Sequence, residues 1–161
     1  MLSYLLLSNL ADRLVFNILG IVVSSYALYV ETQKEKNPKY RAMCDFNEHM
    51  SCSKALCSEY GKGFGVVGVL LGPKHFLNQR NCTMGILFYL LQIGLAFLPD
   101  QGLASLLLYY SSVLAGIGSA YLAYILLFVL RDLCIVCVFT YVINASLIYL
   151  NYSLYKQKQF N

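Results

Sequence analysis

Apolar positions in this chain gather into long blocks rather than alternating or recurring on one helical face. The first block runs from Leu14 to Val30, interrupted only by Asn17 and by small or hydroxyl residues. At about 1.5 Å per residue, seventeen helical residues rise roughly 26 Å, nearly the thickness of a bilayer core. A cleaved signal peptide is the competing reading. Against it, the residues ahead of the block carry no net positive charge, Asp12 and Arg13 interrupt the run, and no clean small-x-small site follows. The block is therefore read as an uncleaved helix over residues 14–30. A second helix is expected over 81–98, stopped by the turn Pro99-Asp100-Gln101-Gly102. A third covers 103–130, where Ser112, Ala115, Gly116, Ser119 and Ala120 let helix backbones approach closely. Arg131 and Asp132 break that run before a fourth helix over 133–150. The expected fold is an all-α integral membrane bundle of four transmembrane helices, one domain over 1–161.

Between the first two helices lies the main hydrophilic segment, 31–80, which holds eight of the twelve Lys and Arg residues. Within it, Gly63 to Gly72 reads GFGVVGVLLG, too short to span and suited to lie on the membrane as an anchor. Four spans would put both termini on one side and this loop on the other. Basic residues favour the cytoplasmic side, which argues for a cytosolic loop; the cysteine chemistry argues for the opposite.

Composition sharpens the membrane reading: the chain is 58% hydrophobic and 12% charged, against roughly 25% charged in soluble domains. A net charge of +4 spread along the chain is no footprint for nucleic acid. Six cysteines exceed what packing requires, and their spacing points to redox chemistry. Cys134-Ile135-Val136-Cys137 places two thiols three residues apart at a helix start, about 5–6 Å between Cβ atoms and within reach of a disulfide. Asp132 is the expected N-cap, and the free N–H groups of a first turn favour a thiolate. Cys44 and Cys52, eight positions apart in the hydrophilic segment, form a second pair. Thiol–disulfide exchange passes through a mixed disulfide, so a polar pair that can approach an embedded pair is suited to carry electrons inward. A metal site in which His49 or His75 joins the cysteines lacks the paired spacing of zinc ligands, so no metal is expected. Cys57 and Cys82 either pair or stay free.

Two polar side chains stand at helix ends. Asn81 precedes the second helix, and Tyr141 lies one turn beyond Cys137 on the same face. An amide and a phenol in an apolar pocket can each hydrogen-bond a quinone carbonyl beside a thiol. A tyrosine at the membrane interface is the ordinary alternative for Tyr141. Asn81, Asn144 and Asn151 also begin glycosylation sequons, all in or against apolar runs where a glycan is not expected.

These residues resemble one family, the vitamin K epoxide reductases. The resemblance rests on Arg41-Ala42-Met43-Cys44-Asp45 through Ser51-Cys52-Ser53, Gly61-Lys62-Gly63-Phe64-Gly65, Leu77-Asn78-Gln79-Arg80-Asn81, Tyr121-Leu122-Ala123-Tyr124-Ile125, and Asp132-Leu133-Cys134-Ile135-Val136-Cys137 with Thr140-Tyr141 beyond. It implies a multi-pass protein of the endoplasmic reticulum membrane with its cysteine loop lumenal, against the charge rule. It implies that Cys137 attacks the substrate, Cys134 closes the disulfide, Cys44 and Cys52 relay electrons, and Asn81 and Tyr141 hold the quinone. The implied substrates are vitamin K quinone and its epoxide, with no permanently bound cofactor. A separate thioredoxin-like thiol partner would supply electrons, and coumarin-type inhibitors would occupy the quinone pocket. Departures from the family pattern are Tyr60 in place of Trp, Leu56 in place of an aromatic, Val142 after Tyr141, and the added Cys57 and Cys82. Two other functions compete: a quinone-dependent generator of disulfides for secreted proteins, and a non-enzymatic four-helix membrane scaffold. The second leaves the CxxC pair unexplained.

Overall fold

The computed structural model describes residues 2–76 and 78–159, with side chains from Ser8 onward. Leu77, at the expected entry to the second long helix, lies outside the described residues. Helix α1 covers Leu2–Lys36, α4 covers Asn81–Ala96, α5 covers Gln101–Tyr124 and continues as a wider π-type turn over Ile125–Leu130, and α6 covers Ile135–Gln159. Two short helices, α2 (Cys52–Leu56) and α3 (Val67–Leu70), lie in the connection between α1 and α4.

The expectation of four membrane-spanning helices is corrected here. Among the described residues three helical stretches are long and apolar enough to cross a bilayer: Ser8–Lys36, Gln101–Leu130 and Ile135–Gln159. The helix expected over 81–98 is the shorter apolar helix α4, 16 residues long, or about 24 Å against a core of roughly 30 Å. Its ends have local causes. Arg80 is extended at its start. At its far end Phe97 and Leu98 fold into a tight turn before Pro99, whose ring disfavours helical backbone in the preceding residue. Asp100 then caps α5 by accepting from the N–H groups of Gly102 and Leu103.

Helix α1 packs against both α4 and α6, and α5 against α6. Gly20 makes the α1–α4 contact close, since a Cβ there would lie 2.5 Å from the Tyr89 ring. Deep in the bundle, polar side chains satisfy one another. Tyr89 donates to Asn144 Oδ1 (2.9 Å), Asn144 to Ser119 Oγ (2.7 Å), and Asn151 to Gln92 Oε1 (3.0 Å). In an apolar medium an unsatisfied polar group is costly, so these bonds fix helix register. They also occupy two of the three sequon asparagines inside the bundle, where a glycan has no room.

The α1–α4 connection is anchored at both ends. Arg80 forms ion pairs with Glu35 and with buried Glu31 (3.4 Å), and Lys62 pairs with Glu35 (3.2 Å). Gly63, Phe64 and Gly65 all adopt positive φ (52°, 57° and 73°). Phe64 is held in this unfavourable region by its own N–H, which donates to Asn81 Oδ1 at 3.1 Å. Beyond this kink Val69, Leu70 and Leu71 point outward, with Val69 84% exposed. An apolar edge of this kind suits the membrane-anchoring segment expected at 63–72.

Candidate active site

Five of the six cysteines meet where α2 sits on the start of α6. Cys52 and Cys134 are both 0% exposed and belong to one apolar cluster with Ala27, Ala55, Cys82, Leu126 and Val136; Cys44, Cys137, Tyr26 and Tyr141 pack against it. Cys44 and Cys52 are joined by a disulfide, with Cα atoms 5.8 Å apart. Cys134 and Cys137 are thiols whose sulfurs lie 2.6 Å apart.

The start of α6 differs from expectation. Asp132 is not the N-cap. Cys134 takes that place, its sulfur accepting from the N–H of Cys137, the third residue of the helix, at 3.3 Å, while its carbonyl accepts from Val138 N–H at 3.0 Å. The sulfur thus stands where Ser or Asp oxygen usually stands. The hydrogen bond from the Cys137 thiol lowers the pKa of Cys134 below the usual thiol range. Burial opposes this, and the backbone N–H groups of Cys137 and Val136 reinforce it.

Asp132 has another task. Its side chain is 0% exposed and pairs through Oδ2 with Lys54 Nζ on α2 at 2.9 Å. The next residue, Leu133, donates its N–H to His49 O at 2.9 Å. Both contacts join the loop to the segment that precedes α6.

Asp45 organises the loop pair. It accepts from Ala42 N–H (2.8 Å), Ser53 N–H (2.9 Å), Ser51 Oγ (3.0 Å) and Ser53 Oγ (2.6 Å). Burial alone would raise its pKa, but the bonds from Ser53, Ala42 and Ser51 outweigh it and hold the carboxyl below the usual range. Sequence reading passed over this residue. Its signal was an aspartate next to one cysteine and a serine on each side of the other.

Asn81 and Tyr141 are placed differently. Tyr141 packs against the cysteine cluster one turn beyond Cys137. Asn81 donates through Nδ2 to Tyr60 O (2.6 Å) and accepts from Phe64 N–H. It therefore pins the Gly-rich segment to the start of α4, with one amide hydrogen left for a ligand. Cys57 is exposed and Cys82 buried, both free; burial, with Glu31 and Glu35 nearby, raises the pKa of Cys57 and keeps it a thiol. Among the described residues no group of three His, Cys, Asp or Glu side chains is placed to hold a metal. An open groove of about 680 Å³ lies on the loop's polar side, lined by Lys34, Arg41, Asp45, Ser51, Lys54 and Cys57 among others. Its charged walls suit a polar partner and not a quinone.

A model of the vitamin K epoxide reductase family matches residues 13–152, a stretch that contains both cysteine pairs, Asn81 and Tyr141. The chain belongs to the vitamin K epoxide reductase family. It is 45% identical over 140 residues to "Vitamin K epoxide reductase complex subunit 1" of Rattus norvegicus, covering 87% of this chain and 86% of the relative. The protein of the same name from Mus musculus matches to the same extent. Family membership and the helices together make this a multi-pass membrane enzyme whose cysteine thiols act on a lipid-soluble quinone or epoxide. The substrate itself undergoes the redox change.

Proposed function

We propose that this protein reduces vitamin K 2,3-epoxide to the quinone, and the quinone to the hydroquinone, with electrons from Cys134 and Cys137. The observation that carries the proposal is the CxxC pair at the head of a membrane helix, its sulfurs 2.6 Å apart, beneath a loop that holds the second cysteine pair. In the first reaction the dithiol becomes a disulfide and the epoxide oxygen leaves as water. In the second the dithiol becomes a disulfide and two protons pass to the quinone oxygens. Cys137, the less buried of the two, attacks the substrate, and Cys134 displaces it to close the disulfide. Tyr141, and the remaining amide hydrogen of Asn81, orient the ring.

Recharging reverses the flow. A thiol of the reduced loop pair, Cys52, attacks Cys134 Sγ, forming a mixed disulfide and releasing the Cys137 thiolate. Cys44 then attacks Cys52 and releases Cys134. The hydrogen bond that stabilises a Cys134 thiolate makes it a good leaving group in this last step. A thioredoxin-like protein in trans then reduces the loop pair, approaching over its polar groove.

The loop faces the lumen of the endoplasmic reticulum, a compartment in which a loop disulfide persists, and coumarin-type inhibitors compete for the quinone site. The whole chain, 1–161, works as one unit. A test is turnover by the purified protein in detergent with a dithiol reductant. Formation of quinone from epoxide, abolished by Cys137→Ala, supports the proposal; equal rates in both proteins overturn it.

A further inference from the structure

We infer that the Lys54–Asp132 ion pair is a positioning device for the relay: it holds the Cys52 helix against Cys134, so that the mixed disulfide can form. The inference rests on the relay reading above and adds residues to it. Neither residue touches a reacting atom.

The pair is asymmetric. Asp132 is wholly buried, whereas the Lys54 side chain is 62% exposed, and the carboxylate oxygens make no other hydrogen bond among the described residues. A buried carboxylate with one partner is costly to leave alone, so separation of α2 from the α6 start is opposed by Asp132 itself. Geometry connects this restraint to the chemistry. Lys54 is two residues beyond Cys52, and Asp132 two residues before Cys134. Cys52 and Cys134 are both fully buried in the same cluster. The His49–Leu133 backbone bond makes a second tie in the same place, though it is indifferent to side-chain identity. The ion pair is thus the side-chain contact that couples the position of one sulfur to that of the other. The neighbouring charges do not duplicate it. Asp45 is saturated by Ala42, Ser51 and Ser53, and Glu31, Glu35, Lys62 and Arg80 form ion pairs with one another at the other end of the loop.

The exchange itself balances without any further reactant. Cys52 thiolate bonds to Cys134 sulfur as the Cys134–Cys137 bond breaks, and Cys137 leaves as thiolate. The ion pair raises the fraction of time in which the first two sulfurs are adjacent.

The test uses the full chain in detergent. With Cys44→Ser and Cys137→Ser removing both resolving thiols, mild oxidation traps Cys52–Cys134, read by mass spectrometry of linked peptides with no substrate or partner present. Introducing Lys54→Met or Asp132→Asn is expected to slow trapping about tenfold, roughly 1.4 kcal/mol of lost positioning. The exchanged pair Lys54→Asp with Asp132→Lys should recover part of the rate. In otherwise wild-type protein, the same single substitutions should slow turnover driven by a protein thiol and spare turnover driven by a small permeant dithiol. Unchanged trapping overturns the inference, even where partner-driven turnover falls, because Lys54 would then serve only partner docking. Equal loss with both reductants also overturns it, since that marks a general folding role. Failure of wild-type turnover with trapping still dependent on the pair would count against the proposed reaction and not against this inference.

Discussion

Cys134 and Cys137 occupy neighbouring but unequal places: one caps α6 with its sulfur, the other sits inside the first turn. Cys137→Ala is expected to remove epoxide reduction altogether, while Cys134→Ala leaves an attacking thiol with no neighbour to displace it and should accumulate a substrate adduct, visible as a mass increase on the Cys137 peptide. Asn81 and Tyr141 should separate by experiment. Tyr141→Phe keeps the ring and loses one hydroxyl, so thermal stability should hold while quinone handling falls about two- to tenfold. Asn81→Ala also loses the bonds to Tyr60 and Phe64 and is expected to cost about 1–3 kcal/mol of stability. Unchanged kinetic constants in Tyr141→Phe would remove that residue from the site. Asp45 predicts a pH dependence. Its carboxyl is held below the usual range in the folded protein, so its contribution is complete above the unfolded value and is lost as pH falls through the depressed folded value. Protection of the Ser53 and Lys54 amides, measured as exchange relative to the intrinsic rate at each pH, should hold from neutral pH down to about 5 and fall below about 4. Loss of protection already near pH 6 would contradict the assignment. The two cysteine pairs were legible because their spacing is rare, whereas the bonds of Asn81 to Tyr60 and Phe64 were not. Asp45 and Lys54 were not, because nothing in a linear pattern shows that a carboxylate will be surrounded by donors or that a lysine will reach a buried partner 78 positions away.

Among the elements, hydrophobic blocks located the long helices well and their ends poorly. Helix α1 continues to Lys36, past the last apolar residue at Val30, because Thr32, Glu35 and their neighbours find partners on the loop and on Arg80 while remaining helical. Helix α4 stops before its apolar residues do, because Pro99 acts on the backbone ahead of it, and so, among the described residues, the helix expected over 81–98 is too short to count as a span. Asp132 looked like a cap by residue type, but an ion pair to the loop competes for it, and the adjacent sulfur takes the role. Close packing of α1 on α4 was invisible, since a lone glycine such as Gly20 has many uses. That contact predicts a specific sensitivity: Gly20→Ala must displace the buried Tyr89 ring and strain its bond to Asn144. A loss of about 1–3 kcal/mol is expected by thermal unfolding in detergent, and an unchanged midpoint would show that the ring can move freely.

For the molecule as a whole, the helices hold a reacting pair at the membrane surface and the loop brings a second pair to it. Cysteine usage alone suggested this division, and the fold supplies its geometry, with Cys52 and Cys134 in one dry cluster. Three of the eight basic residues in the 31–80 segment are structural: Lys62 and Arg80 pair with Glu31 and Glu35, and Lys54 with Asp132. A relay of this kind predicts that Cys44→Ser suppresses turnover driven by a protein thiol while a small permeant dithiol still reduces Cys134–Cys137; equal loss with both would assign the loop disulfide to stability.

The most direct test of thiol-driven reduction is a single turnover. Fully reduced protein, freed of reductant, is mixed with less than one molar equivalent of vitamin K epoxide, quenched with a thiol-alkylating reagent, and analysed for product and for linked cysteine peptides. The expected result is formation of quinone together with a Cys134–Cys137 disulfide, followed by a slower shift of the linkage to Cys44–Cys52 as the loop pair recharges the inner one. Product formed while Cys134 and Cys137 remain alkylated and Cys44 and Cys52 unlinked, or oxidation that falls on Cys57 or Cys82 instead, would contradict the account.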